Sequence, residues 1–334
     1  MEHQPKLTAS EISNLWTSYQ NDSMAICGIK YFLANIEDPD IRSVLEYALA
    51  ISEQHVQRVK AIFQSENYPI PVGFTEHDVN LNAPRLFSDI LYLNYILNMG
   101  KFGLSSYSLA LSLSSRDDIM AYYEDCLSET VKLHNWAKSV AKQKGIYVRA
   151  PHIPVPEQVD FVQNQSFLSG GLFGDPRPLL GVEIGSLVYN SERNTLGQAL
   201  ITGFSQVAKH SDVRQYLERG REISGKHFEI FNSLLHKNYL SGASPLTSEV
   251  TDSTVSPFSD KLMMFHVSAL VASGIGQYGI SMSTSPRRDL GVNYARLMAE
   301  IAKFSNDGAK ILIDHGWMEQ PPEAADRQEL AKKK

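Results

Sequence analysis

The sequence ISEQH at residues 51–55 returns as ISGKH at residues 223–227, 172 positions later. The same offset aligns residues 11–65 with residues 183–237 and pairs many identical residues, among them Glu11/Glu183, Leu15/Leu187, Phe32/Phe204, Asp40/Asp212, Arg42/Arg214, Ser52/Ser224 and His55/His227. After a one-residue deletion the match continues through Tyr107/Tyr278, Arg116/Arg287, Glu129/Glu300 and Asn135/Asn306. The chain is therefore predicted to be a tandem duplication of a unit of about 150 residues.

Each unit has the pattern of four helices. Thr8 and Glu11 form the sequence signature of a capping box, and apolar residues at helical spacing follow it. Proline and glycine then mark helix ends. The predicted helices cover about 8–36, 40–66, 85–114 and 117–144 in the first unit, and about 180–208, 211–238, 256–284 and 287–315 in the second.

The lengths of the connections predict the topology of each unit. Short connections make antiparallel hairpins of helices one and two and of helices three and four, whereas residues 67–83 are long enough to return along a whole helix. Helices two and three should therefore run parallel. The predicted fold is all-α, a tandem duplication of a ferritin-like four-helix bundle with a long helix 2 to helix 3 crossover.

This topology divides the chain into four parts. Residues 7–146 and 179–320 are the two bundles, and residues 321–334 are a mobile tail. Residues 147–178 are a proline-rich linker. We expect this linker to pack along the bundles because it carries five large apolar residues, namely Phe161, Phe167, Leu168, Leu172 and Phe173.

Composition restricts the function classes. A net charge of −6 and a pI near 5.9 argue against nucleic-acid binding. The sequence contains no run of about 20 apolar residues that could cross a bilayer and no apolar signal-peptide core at the N-terminus. We therefore expect a cytoplasmic protein that is not secreted by a signal peptide. Cys27 and Cys126 are too far apart along the bundle for a disulfide and should be free buried thiols.

The repeated histidine suggests a metal site. Folding the helices back at their connections places His55 level with Glu129, and His227 level with Glu300. Helices one and three offer further residues at that level, namely Ser18, Asp22, Lys101 and Ser105 in the first unit and Asn190, Asn194, Ser273 and Gly274 in the second. Ferritin-like di-iron sites use a Glu from each of two helices and a Glu-x-x-His from each of the other two, so most carboxylate ligands are absent here.

Two interpretations of His55 and His227 remain open. Each could join its glutamate in a degenerate site for one iron, manganese or zinc ion. The sequence favours the alternative, a buried imidazole hydrogen-bonded to glutamate or serine, for which no cofactor is expected. Tyr107 and Tyr278 are expected to fill the core beside it. The motifs of nucleotide-binding, serine-hydrolase and zinc-protease sites are absent from the sequence, so no catalytic or cofactor-binding residues are predicted.

Several long stretches resemble one family. They include EISNLWTSYQNDSMAICGIKYFL, YPIPVGFTEHDVNLNAPRLFSD, GFSQVAKHSDVRQYLERG and RRDLGVNYARLMAEIAKFSNDGAKILIDHGWMEQPP. They are similar to domain of unknown function 3231, a family from spore-forming bacilli. The resemblance covers about residues 7–330 and implies a ferritin-like fold, a relationship to spore coat protein F and a role in sporulation, but no catalytic activity.

The sequence supports two main functional hypotheses. The first is a non-catalytic structural or interaction protein that assembles through its duplicated bundles into homo-oligomers or with other spore-associated proteins. The second is a metal-binding or oxidative protein with one degenerate site per bundle. A third, small-molecule binding in a bundle cavity, has no sequence signature.

Overall fold

The computed structural model describes residues 5–169 and 176–332 and is all-helical over those ranges. Their nine α-helices are α1 (Ala9–Asn35), α2 (Pro39–Ser65), α3 (Asp89–Ser112), α4 (Asp117–Gln143), α5 (Gly181–Val207), α6 (Ser211–His236), α7 (Asp260–Ser283), α8 (Arg288–Asp314) and α9 (Arg327–Lys332). The first eight form two halves of four helices each. We call residues 66–88 the first crossover and residues 237–259 the second crossover, because each joins the second helix of its half to the third.

Contacts at the two ends of the first half establish its topology. Glu11 at the start of α1 accepts a hydrogen bond from the backbone amide of Arg116, which precedes α4, at 2.9 Å. The Arg116 guanidinium pairs with Glu66 at the end of α2, at 2.6 Å. At the opposite end, Asp89 at the start of α3 accepts the amide of Asp38, which caps α2, at 2.8 Å. Helices α2 and α3 therefore run parallel, as the length of the crossover predicts.

The second half repeats these contacts. Glu183 accepts the amide of Arg287 at 3.1 Å, and Asp260 accepts the amide of His210 at 2.8 Å. In each half, a carboxylate at the start of one helix thus satisfies backbone donors at the start of another. The repeated sequence produces a repeated set of end contacts.

Helices α3 and α7 begin later than the sequence pattern predicts. The predicted starts are residues 85 and 256, whereas the helices begin at Asp89 and Asp260, with Ser88 and Ser259 as their N-caps. Each serine accepts a backbone amide of its own first turn. The residues before them remain extended because their backbones bind the crossover of the other half.

The two crossovers pair with each other in a reciprocal arrangement. The amide of Asn80 donates to the carbonyl of Pro257 at 2.7 Å, and the amide of Thr251 donates to the carbonyl of Leu86 at 2.9 Å. Asn80 and Thr251 are equivalent residues of the duplication, as are Leu86 and Pro257. The halves are therefore related by a pseudo-twofold axis that passes between the crossovers.

One hydrophobic core extends across both halves. Tyr31 of α1 packs edge-on against Phe258 of the second crossover at 5.2 Å between ring centroids, and Phe87 packs against Phe204 of α5 at 6.2 Å. All four rings are buried. Burial of each large apolar side chain contributes roughly 1.5–3 kcal/mol. The contact between the halves is therefore part of the core, whereas two smaller apolar clusters lie within single halves.

The linker, residues 147–178, packs less than the sequence predicts. Val155 and Phe161 are 91% and 81% exposed, so this part of the linker lies away from the bundles. Prolines at 151, 154 and 156 favour an extended backbone over a packed one. The two ends of the linker are held in place. Tyr147 packs against the core, and the Arg177 guanidinium, 4.3 Å from the centre of the Phe167 ring, pairs with Glu183 of α5 at 2.8 Å. Leu172 and Phe173, also predicted to pack, lie outside the described residues.

Two further features complete the fold. Cys27 and Cys126 are buried free thiols, as predicted. Within residues 5–169 and 176–332, no helix has the length and apolar content needed to cross a membrane.

Candidate functional site

The repeated histidine of the first half lies in the bundle interior. His55 of α2 is 1% exposed, and its Nε2 lies 2.8 Å from Oε2 of Glu129 on α4. Glu129 also accepts a hydrogen bond from the side-chain amide of Gln54 at 3.2 Å. The helical spacing and the fold-back of α2 and α4 thus bring together the two residues that the sequence predicts at one level.

Two more side chains complete this polar cluster on the other side of the imidazole. The hydroxyl of Tyr107 on α3 lies 3.4 Å from Nδ1 of His55 and 3.3 Å from Oδ2 of Asp22 on α1. The same carboxylate oxygen is 3.6 Å from Nδ1. We call Asp22, His55, Tyr107 and Glu129 the first polar cluster. It takes one residue from each helix of the half.

The environment of His55 favours its charged form. Burial by itself lowers the pKa of the imidazole, but the neighbouring Asp22 carboxylate and the Cys126 side chain outweigh burial and raise the pKa of His55 above its usual value. Burial and the nearby Asp22 carboxylate raise the pKa of the Tyr107 hydroxyl, so the phenol remains neutral. The cluster therefore holds an imidazolium between two acids.

The second half contains the equivalent cluster with one decisive exchange. Nε2 of His227 lies 3.1 Å from Oε2 of Glu300, and its Nδ1 lies 3.0 Å from the hydroxyl of Tyr278. Asn194 occupies the position of Asp22, and its side-chain amide donates to the Tyr278 oxygen at 2.8 Å. We call Asn194, His227, Tyr278 and Glu300 the second polar cluster. The carboxylate that Asp22 supplies to the first polar cluster is thus replaced by a neutral amide in the second.

The environment of His227 favours the neutral form of its imidazole. Burial lowers the pKa of His227 below its usual value, and the Lys226 ammonium opposes the raising effect of Glu300. Lys226 replaces Gln54 and pairs with both oxygens of Glu300, at 2.8 and 2.9 Å. The two histidines, which are equivalent residues of the duplication, are therefore charged differently.

The donor set of each half does not fit a di-iron centre, which needs about four carboxylates and two imidazoles. The first half offers His55, Asp22 and Glu129, and the second offers only His227 and Glu300. In the described part of the chain, no group of three or more His, Cys, Asp or Glu side chains is arranged to hold a metal ion.

Some residues predicted at this level lie elsewhere. Lys101 points towards the other half, where its ammonium pairs with Glu192 of α5 at 2.6 Å. Ser105 bonds to the carbonyl of Lys101 in its own helix. Height along the bundle is thus predictable from the sequence, but the direction around each helix is less so.

A cavity of about 180 Å³ lies beside the first polar cluster. Asp22, His55 and Tyr107 form part of its wall, and His266 and Ser273 of α7 contribute from the other half. The equivalent cavity of the second half, lined by Asn194 and Tyr278, has only about 60 Å³. The sequence gives no sign of this difference in volume because it depends on side chains from five helices.

Comparisons with known proteins give a family and one weak structural likeness. The family model described as "Protein of unknown function (DUF3231)" matches residues 1–159 and again residues 169–330. No curated protein matches the chain. A crystal structure described as a "putative spore coat protein" of Bacillus halodurans C-125 is 16% identical, with a TM-score of 0.41, and the match covers 45% of this chain and 98% of that one.

Proposed function

The chain belongs to the DUF3231 family, which its sequence resembles throughout, and we propose that it is a non-catalytic structural protein that assembles through its two helical halves in association with the bacterial spore. The observation that carries this proposal is the reciprocal pairing of the two crossovers. It joins the duplicated halves into one body with a shared core. An internally symmetric body is suited to packing into larger assemblies.

The polar residues of the interior support a structural role. Glu300 is held by Lys226 and His227, and Asn194 and Tyr278 bind each other. These groups satisfy one another, as buried polar groups must, and leave no nucleophile and base in a shared cleft of the second half's described residues. The arrangement of helix ends is also the one expected of a ferritin-like bundle with a long crossover.

The surface supports self-assembly. Leu109 of α3 and Ile280 of α7 are equivalent residues of the duplication and are 61% and 59% exposed. Leu113, one turn from Leu109, is also exposed. Apolar side chains that stay exposed at the same place in both halves are candidates for contacts between copies of the chain.

The association with the spore rests on the family resemblance described above. It can be tested with a tagged chain in a sporulating bacillus that encodes it, by extracting coat proteins from purified mature spores. Recovery of the chain in the coat extract supports the proposal. A chain present in vegetative cells and missing from purified spores contradicts it.

A metal-binding role is a second candidate. It is favoured by one observation, the contact of an imidazole with a glutamate in both halves, His55 with Glu129 and His227 with Glu300. This candidate predicts up to two iron, manganese or zinc ions per chain. Elemental analysis of untagged protein from metal-supplemented medium tests it, with the His55→Ala/His227→Ala variant as control. Stoichiometric metal lost in the variant supports this candidate, and metal-free protein removes it.

A further inference from the structure

The carboxylate of Asp22 is buried at the wall of the 180 Å³ cavity and has only long contacts with its neighbours. The residue is 6% exposed. Its nearest donors are the Tyr107 hydroxyl at 3.3 Å and Nδ1 of His55 at 3.6 Å, both longer than a good hydrogen bond. His55 instead makes its short contact with Glu129. Burying a carboxylate with such weak contacts is costly unless another group pairs with it.

The cavity wall carries one cationic side chain, the His55 imidazolium, and that group makes its short contact with Glu129. Among the described residues that line it, Asp22 is the only carboxylate and none is lysine or arginine. Whether His55 is charged or neutral, the two acids and one imidazole of the first polar cluster remain net negative. An anionic ligand is therefore disfavoured here and a cationic one is favoured.

The second half fills the corresponding region with a cation of its own. Arg193 of α5 occupies the position equivalent to Asn21 of α1. Its guanidinium lines the small cavity and donates to the hydroxyl of Ser273 at 3.0 Å. Ser273 corresponds to Phe102, which lines the large cavity. The duplicate thus shows a positively charged group seated where the first half is open.

Two further exchanges account for the different volumes. Thr130 and Leu133 of α4, which line the large cavity, correspond to Ile301 and Phe304 of α8, which line the small one. The larger side chains fill the second half, and Phe304 is fixed by stacking on Tyr216 at 4.1 Å between centroids. The first half therefore keeps a space that its duplicate has closed.

We propose that the cavity of the first half binds a small organic amine, with its ammonium group paired to Asp22 and its apolar part against the surrounding methyl and aromatic side chains. This site goes beyond the structural role proposed above. Tyr107 supplies a hydroxyl oxygen beside the ammonium, and the apolar wall includes Met24, Ala25, Leu133 and Leu270. The volume is similar to that of a cavity of about 150 Å³ that accommodates benzene, so a ligand of that size fits.

Calorimetric titration of the full chain with benzylamine tests this site, with benzyl alcohol and benzoate as neutral and anionic probes of the same shape. Benzylamine is expected to bind one site per chain, at least about tenfold more tightly than either other probe, because a charged pair with Asp22 is worth about that factor. Asp22→Asn, the residue found in the second half, should lower the affinity for benzylamine roughly tenfold. Asp125→Asn, an exposed acid of α4, is the charge-matched control and should leave it unchanged.

A second variant keeps the test decisive if Asp22→Asn does not fold. Asn21→Arg gives the first half the cation that Arg193 supplies in the second half. Its guanidinium should fill the cavity beside Asp22 and so abolish benzylamine binding. Equal affinity for benzylamine and benzyl alcohol would overturn the proposal. So would full benzylamine affinity in Asp22→Asn or Asn21→Arg, or the failure of the unmodified chain to bind benzylamine at millimolar concentration.

Discussion

Ser88 at the start of α3 donates its hydroxyl hydrogen bond to Glu249 of the second crossover at 2.5 Å. In the equivalent pair, the Ser259 hydroxyl at the start of α7 donates to Asp78 of the first crossover at 2.7 Å. Each half therefore supplies an acid that holds the N-cap serine of the other half. The two halves are joined at the points where their third helices begin.

Removing these N-cap serines is expected to destabilise the chain. Ser88→Ala and Ser259→Ala should each lower the free energy of unfolding by about 1 kcal/mol, since each loses a cap and strands an acid of the other half. Denaturant unfolding followed by circular dichroism measures the change. Ser108→Ala is the matched control because the Ser108 hydroxyl bonds only within its own exposed helix turn. Equal stability of all three variants would show that the crossover contacts contribute nothing.

Acid should weaken the first half through Glu11. Burial raises the pKa of this carboxyl, but hydrogen bonds from the amides of Ser115, Thr8 and Arg116 outweigh burial and lower the pKa to about 2. Because the folded pKa lies below the unfolded value of 4.5, the stabilisation is fully present above pH 4.5 and is lost as the pH falls towards 2.

The Glu11→Gln variant isolates this effect. It should be less stable than the unmodified chain at neutral pH, and the difference should shrink between pH 4.5 and pH 2. Thermal unfolding at a series of pH values measures it, with the exposed Glu124→Gln as control. A stability difference that does not change over this range would refute the assigned role of Glu11.

The pKa values of the two repeated histidines should be shifted in opposite directions. The raised pKa of His55 keeps its imidazole protonated as the pH rises past the usual range, so the stability it contributes is present at neutral pH and lost only in alkali. The lowered pKa of His227 keeps that imidazole neutral, so its contribution is lost as the pH falls through its folded pKa. Ring-nitrogen chemical shifts in ¹⁵N-labelled protein distinguish the two forms.

Exchanging the residue types at Asp22 and Asn194 tests why the two histidines differ in pKa. Asp22→Asn should lower the pKa of His55 towards that of His227, whereas Asn194→Asp should raise the pKa of His227. Identical ring shifts for His55 and His227 in the unmodified chain at pH 7 would contradict the charge assignment.

The exposed apolar pair predicts where copies of the chain meet. Leu109→Lys combined with Ile280→Lys should lower the mass of the assembly, because a charge must be desolvated at each contact. Both side chains are largely exposed, so the fold should tolerate the change. Light scattering measures the mass, and Val155→Lys, a change at a still more exposed apolar residue of the linker, is the control. An unchanged mass in the double variant would place the contact elsewhere.

Much of the fold follows from the sequence because it depends on local patterns. Apolar spacing, Thr8 and Pro39 predict the helices, and the duplication predicts that both halves share one topology. The sequence pattern puts the starts of α3 and α7 too early because Phe87 and Phe258 continue the apolar pattern, whereas their backbones pair across the halves. The repeated Phe-Ser-Asp before each helix is the N-cap signal that marks the true start.

The candidate site is predictable only in part. The level shared by His55 and Glu129 follows from helix lengths and short connections. The charge of His55, the open cavity and the Arg193 that fills the second half depend on side-chain directions and on contacts between halves, which no local pattern encodes. The significance of Asp22 against Asn194 appears only when the two halves are compared.

The most direct test of the structural role is the mass of the assembled protein after removal of divalent metal with a chelator. Light scattering should be carried out on the unmodified chain and on His55→Ala/His227→Ala, both metal-stripped. The structural account predicts the same assembled mass for both as for untreated protein. Dissociation into single chains on metal removal, or in the double variant alone, would contradict it.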